Sequence, residues 1–439
     1  MGLDTDLQQM IKYFFAFIFT LACGTSKQIM ESKKILVDSD TTQELKPLEK
    51  FTDDKQLKKF ADSLAHKYII VDGHVDLPYR LSIKNFRPTK EFIGIPAESN
   101  DGDFDYTRAK KGGLSAPFMS IYIPASYQKG GAKKYAEDLI NMVDTIIKSH
   151  PAKFGFGRSS MEVITNFKNG LISLPMGMEN GAPIENDLAN VKYFYDKGIR
   201  YITLTHAEDN QICDGAYART RTWRGLSPFG REVVLEMNKQ GIMVDISHVT
   251  DSTFWQVIRI TKAPVIASHS SCRAFTPGWE RNMSDEAIAA LKTNGGIIMI
   301  NFGSDFLDGS IQKKNDLARN ELMDLLKSQG LTAQDSLAKP IIQAFEKSHP
   351  ALYSDVKKVV DHIEHVIKLA GIDHIGLGSD FDGVGDSLPI GLKDVSAYPN
   401  ILFELLKRGY DESDIAKICS GNFLRVWRQV EEVSKSLKS

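Results

Sequence analysis

The sequence predicts a (β/α)8 TIM barrel, on three observations. From residue 68 onward, eight short β-branched runs alternate with stretches of helical periodicity. Histidines and carboxylates follow six of those runs, where a barrel gathers its strand C-termini on one face. No glycine-rich phosphate loop follows the first run, which counts against the alternative, a doubly wound sheet that binds a dinucleotide.

The runs are Tyr68 to Val71, Ala116 to Ile123, Leu171 to Met178, Tyr201 to Thr205, Met243 to Ile246, Val265 to Ala267, Ile297 to Ile300 and Ile375 to Leu377. Helix punctuation lies between them. Ser227-Pro228 reads as an N-cap with proline at the first helical position, and Gly241 closes that element. Ser284 with Asp285 and Glu286 opens a second helix, which Gly295-Gly296 ends. Asp355 to Ala370 places Val356, Val359, Val360, Ile363 and Ile367 on one face and stops at Gly371. Residues 305–353 are too long for a simple connection between the seventh and eighth strands. Asn315 to Gln329 and Leu337 to Glu346 read as helices, so the segment is a helical insertion near the barrel mouth, with decoration the plainest role for it. The length of 439 residues alone would allow roughly three domains, but the pattern assigns 56–439 to one barrel.

Whole-chain composition narrows the function. Lys and Arg number 54 against 56 Asp and Glu, a net charge of −2 that argues against a nucleic-acid binder. Hydrophobic residues at 42% and charged residues at 25% are ordinary globular values. Cys23, Cys213, Cys272 and Cys419 show no C-x-x-C spacing, so any metal must be held by histidine and carboxylate.

At the N-terminus, Lys12 precedes the uncharged stretch Tyr13 to Ala22. That stretch is too short to span a hydrocarbon core, which needs roughly 20 residues in a helix, and it fits a signal h-region. Ala22-Cys23-Gly24-Thr25-Ser26 resembles a bacterial lipoprotein signal. The expectation is a signal peptide over 1–22, acylation at Cys23 and a polar tether over 23–55. The protein would then be exported and lipid-anchored to a bacterial membrane on its periplasmic or extracellular face. Met10 offers a second start that would leave a conventional short signal.

The candidate metal ligands are His74 and Asp76 after the first run, Glu179 after the third, His206 after the fourth, His248 after the fifth, His269 after the sixth and Asp380 after the eighth. His74-x-Asp76 puts two ligands on one side of an extended segment. Singly, Glu179 reads as a hydrogen-bonded core carboxylate and His248 or His269 as a strand cap; the joint placement changes the reading. Histidines without a thiolate suit Zn²⁺ or a comparable ion. Two such ions would need a bridging carboxylate and would share a hydroxide, which is the chemistry of hydrolysis. His362 and His365 lie on a helix outside the barrel and are read as surface residues.

Across residues 69–430 the chain resembles the membrane (renal) dipeptidase family of binuclear zinc amidohydrolase-type metallopeptidases, here as a bacterial lipoprotein member. The resemblance rests on VDGHVDLPYR at 71–80, GMENG at 177–181, RYITLTH at 200–206, GLSPFGREVV at 225–234, VDISHV at 244–249, PVIASHSS at 264–271, Arg281-Asn282 and GLGSDFDGV at 376–384. It implies a dipeptide substrate and two Zn²⁺ per chain. His74 and Asp76 would bind one ion and His248 and His269 the other, with Glu179 and a hydroxide bridging them. It further implies that His206 steadies the scissile carbonyl, that Arg281 binds the substrate carboxylate, with Arg273 as the alternative, and that Asp380 carries a proton to the leaving amine. Asp245 is read as strand packing or support behind the ligands, and Asp382 as a turn residue.

A homodimer is implied by the resemblance alone. The rival readings are another binuclear amidohydrolase (β-lactamase-like, a lactonase or a deaminase) and a non-catalytic peptide-binding lipoprotein. The first rival commonly carries H-x-H after the first strand, where this chain has H-x-D. Dipeptide preference and stereochemistry stay open.

Overall fold

A computed structural model describes residues 53–83, 102–333 and 335–439. The expected signal peptide, Cys23 and most of the expected tether lie outside the described residues. Ten strands are present among those described. They are β1 Ile70–Val75, β2 Leu114–Tyr122, β3 Phe154–Phe156, β4 Ile172–Leu174, β5 Met176–Glu179, β6 Ile199–Thr203, β7 Met243–Asp245, β8 Ile266–Ser270, β9 Ile297–Ile300 and β10 Ile375–Leu377. Eight of them close a parallel barrel in the order β1-β10-β9-β8-β7-β6-β5-β2. The predicted fold class is the one observed.

The third predicted strand needs a correction. Leu171 to Met178 is not one strand, because Pro175 has no N–H for a ladder and divides it. The first half, β4, pairs with β3 in a separate two-stranded sheet, and only β5 enters the barrel. The Pro175 carbonyl still accepts from Met119 N at 2.8 Å, which keeps β5 seated beside β2.

Every residue of β1, β5, β6, β7, β8, β9 and β10 is buried, as strands enclosed by helices should be. Val71, Phe118, Tyr201, Met243 and Met299 fill the interior together with Phe423 and Trp427 of the C-terminal helix Asn422–Lys438. Phe118 is the centre of that cluster, 5.3 Å from the rings of both Tyr201 and Trp427. Truncating such a ring to alanine costs roughly 3–5 kcal/mol.

The outer helices follow the predicted punctuation. Ser227 caps Pro228–Gln240, Ser284 caps Asp285–Asn294 and Asp355 caps Val356–Ala370. Asp53 caps the first described helix, Asp54–Lys67, which packs on Tyr398–Lys407. The insertion forms the helices Gly309–Ser328 and Ala338–Ser348. The first begins before the predicted Asn315 because Asp308 accepts from the N–H groups of Ser310 and Ile311.

His362 overturns its sequence reading. It is fully buried: Nδ1 accepts from Cys272 N at 3.1 Å and Nε2 donates to the Leu307 carbonyl at 2.9 Å. Burial pushes its pKa down to about 4. His365 is half-buried, with Nε2 2.8 Å from Asp285. No described helix is long and apolar enough to cross a membrane.

Candidate metal centre

The strand ends bring the predicted ligands to one point. His74 lies inside β1 and Asp76 just beyond it, Glu179 is the last residue of β5, and His269 lies inside β8. His248 and Asp380 sit on the turns after β7 and β10 in the left-handed backbone region, with φ of 68° and 64°. That conformation is strained for residues with a Cβ and is held here by tertiary bonds. Ala216 N donates to the His248 carbonyl at 2.7 Å, and Asp380 N donates to the His74 carbonyl at 3.1 Å.

Glu179 faces both ways. Its Oε2 is 3.2 Å from His74 Nε2, and its Oε1 is 3.0 Å from His248 Nε2, 3.2 Å from His269 Nε2 and 3.7 Å from His206 Nε2. Asp76 Oδ2 stands 3.3 Å from His74 Nε2. Three overlapping groups could each hold a cation: His74, Glu179 and His269; Glu179, His206 and His248; and His74, Asp76 and Asp380. No cysteine belongs to them, and Cys213, Cys272 and Cys419 are free and buried elsewhere.

The donor set fits metal ions on electrostatic grounds. Burial, then Arg281, pushes the His248 imidazole well below its ordinary pKa, and burial, then His74, does the same to His269. Their Nε2 atoms nevertheless face each other at 2.8 Å, beside a carboxylate oxygen. Burial opposes ionisation of Glu179, but the imidazoles of His74 and His206 outweigh it and hold the carboxyl well below the usual range. The His74 Nε2 has no hydrogen-bond partner among the described residues. Lone pairs and carboxylate oxygens converging in a buried cluster call for positive charge between them.

The remaining predicted residues surround this core. His206 is partly open, in edge contact with Tyr122 at 4.7 Å, and burial lowers its pKa. Arg281 is 2% exposed; Nη1 donates to Ser270 Oγ at 2.8 Å, and Nη2 donates to the His269 carbonyl at 2.8 Å and to His248 Nε2 at 2.9 Å. Its Nε has no partner among the described residues. The alternative, Arg273, is bound bidentately to Asp251 at 2.7 and 2.6 Å, away from the ligands.

Asp380 accepts from Asn301 Nδ2 at 2.7 Å, and burial with Asp76 and Glu179 raises its pKa to about 7. Gly383 leaves room beside it: a Cβ there would lie 2.2 Å from Asp76 Oδ2 and 2.3 Å from Asp380 Oδ1, so both carboxylates would have to move. Asp382 is a left-handed turn residue, as expected, and also pairs with Arg80 at 3.0 Å.

Asp76, Glu179, His206, His248 and Asp380 line a cavity of about 490 Å³. Asp305, Phe306 and Arg319 of the insertion line its wall, so that segment is more than decoration. Asn301, Tyr217, Tyr201 and Ser268 were not singled out from the sequence. Asn301 directly follows the seventh predicted run, a position that could have drawn attention. Asp245 accepts from Thr203 Oγ1, Ser247 N, Ser268 N and Ser268 Oγ, next to His269 in the chain.

Comparison with known proteins agrees with this arrangement. The chain is 34% identical to dipeptidase verJ of Clonostachys rogersoniana over 397 residues, covering 88% of each protein. It is 31% identical to dipeptidase 3 of Mus musculus over 399 residues, covering 88% of this chain and 69% of that one. The probable dipeptidase PvdM from Pseudomonas aeruginosa has the same fold, with a TM-score of 0.72 at 24% identity over 86% of this chain and 99% of that one. Residues 58–439 match the family described as Membrane dipeptidase (Peptidase family M19), and with its closed barrel and its converging histidines and carboxylates this chain belongs to that family.

Proposed function

We propose that this protein is a zinc-dependent dipeptidase that hydrolyses the peptide bond of a dipeptide at two Zn²⁺ ions. The observation that carries the reading is Glu179, whose two oxygens face different histidines, His74 on one side and His248 with His269 on the other. A carboxylate so placed can bridge two ions. His74 and Asp76 would complete one set of ligands, and His248 and His269 the other. Bound there, the ions would supply an activated water and a polarised carbonyl.

The chain's own residues supply the rest. His206 stands at the open side of the ligands, where an imidazole N–H can donate to the oxygen of the scissile carbonyl as charge develops on it. Asp380 lines the cavity beside Asp76, with Asn301 holding one of its oxygens, and is placed to carry a proton to the leaving amine. Arg281 adds a buried guanidinium whose Nε is unpaired among the described residues, suited to a substrate carboxylate.

The cellular setting is part of the same proposal. The uncharged stretch Tyr13 to Ala22 followed by Cys23 supports a lipid-anchored, exported enzyme, and the dimer rests on the resemblance alone. The test is metal analysis of the purified full chain, with release of amino acids from L-L, L-D and D-D dipeptides. About two zinc ions per chain and turnover abolished by a chelator are expected. Full turnover without metal would overturn the proposal.

A further inference from the structure

We infer that Tyr201 and the Ser268–Asp245 pair are positioning residues that fix the tautomers of His74 and His269, so that each presents a bare Nε2 to the metal centre. The inference rests on the reading of these histidines as ligands and concerns what makes them so.

Counting protons sets each tautomer. The Tyr201 hydroxyl lies 3.0 Å from the Gly73 carbonyl and 2.8 Å from His74 Nδ1. A phenol has one proton to donate, and a carbonyl oxygen can only accept. The Tyr201 proton therefore goes to Gly73, and its oxygen accepts the proton carried by His74 Nδ1. With Nδ1 holding its proton, Nε2 is the atom left to offer a lone pair to an ion, and it faces Glu179 at 3.2 Å and Asp76 at 3.3 Å.

The same count holds across the barrel. Ser268 Oγ lies 2.6 Å from Asp245 Oδ2 and 2.7 Å from His269 Nδ1. A carboxylate can only accept, so the serine proton goes to Asp245 and its oxygen accepts from His269 Nδ1. His269 Nε2 is then bare as well, 3.2 Å from Glu179 Oε1. His248 has no equivalent support: its Nδ1 lacks a partner among the described residues, and Arg281 donates to its Nε2 instead.

Both supports are rigid. Tyr201 is fully buried, its ring stacked on Phe118, and a Cβ at Gly177 would lie 1.9 Å from that ring. Asp245 is locked by four hydrogen bonds from Thr203, Ser247 and Ser268. Partners of this kind commonly contribute ten- to a hundred-fold to metal affinity.

The experiment measures stepwise zinc affinity of the metal-stripped full chain by competition with a chromophoric chelator. Tyr201→Phe and Ser268→Ala each remove a single oxygen atom. Tyr201→Phe is expected to weaken one zinc step by about 10–100-fold and Ser268→Ala the other step by a similar factor. Ser268→Thr, which keeps the hydroxyl, is expected to restore affinity to within about three-fold.

Thermal melting of the stripped proteins separates loss of fold from loss of a ligand. A variant that melts like wild type and binds zinc more weakly supports the inference. Two zinc steps in wild type that are unchanged in both variants would overturn it and leave the dipeptidase reading standing. A wild-type chain that binds no zinc would overturn both.

Discussion

The barrel mouth and the helical insertion are built on opposite terms. At the mouth, His74, Glu179, His248, His269 and Arg281 are all buried, each within hydrogen-bond distance or a little more of another charged or polar group. In the insertion, the helix Gly309–Ser328 buries only Gly309 and Leu326, and Leu317 and Met323 stand 62% and 49% exposed. The difference locates function. Buried polar groups are expensive unless a ligand or a network satisfies them, so where they concentrate the fold is serving chemistry. An exposed helix pair joined at its root can change sequence with little consequence for the barrel.

The largest expected effect falls on Glu179. Glu179→Gln keeps the shape but removes the charge that faces His74, His206, His248 and His269, and kcat/KM should fall by at least about a thousand-fold with loss of bound zinc. Metal content measured beside activity distinguishes this from a purely kinetic defect. A variant that keeps two ions and normal turnover would show that the mouth tolerates change as freely as the insertion does.

Asp380→Asn should act on the reaction with little effect on metal content. The carboxamide can still occupy the place beside Asn301, but it cannot carry a proton, and kcat is expected to fall about 10²- to 10⁴-fold. Equal loss of zinc would instead make Asp380 a ligand, consistent with its grouping with His74 and Asp76.

Much of this centre was legible in the sequence because strand ends are legible. β-branched runs bounded by helix caps mark where each strand stops, and barrel closure turns those separated positions into neighbours. The groups that meet His74 and His269 from behind were harder to read. Tyr201 in a strand looks like an ordinary β-former, and its meeting with His74 depends on a ring that crosses the barrel interior from β6 to β1. Pro175 was misread because the apolar run continues on both sides of it. His362 was misread because a histidine near a helix's apolar stripe was assigned to solvent, and only the packed fold supplies its two backbone partners, Cys272 N and the Leu307 carbonyl.

His362 joins the two regions, since Leu307 is at the root of the insertion and Cys272 follows β8. Its pKa is about 4 in the folded chain against an ordinary 6.5. The folded state thus refuses a proton that the unfolded chain accepts. Stability from this group is complete above pH 6.5 and falls as pH drops toward 4, by about 3 kcal/mol in all. His362→Gln removes that titration, so its denaturation midpoint should decline less than wild type between pH 7 and pH 4.5. Parallel declines would show that His362 does not carry the pH dependence.

The smallest effects belong on the exposed face of the insertion. Leu317→Ser changes a side chain that is 62% exposed, and both stability and kcat/KM should stay near wild type, within about 0.5 kcal/mol. Leu326→Ala, on the same helix but fully buried, should cost roughly 2–5 kcal/mol of local stability, read by hydrogen exchange within Gly309–Ser328. The comparison then turns on how far that loosening travels. Phe306 and Arg319 line the cavity, so a loosened helix should raise KM before it alters kcat or zinc content. If kcat and metal content fell together with the helix, the insertion would be part of the barrel's structural core and the contrast between the two regions would fail.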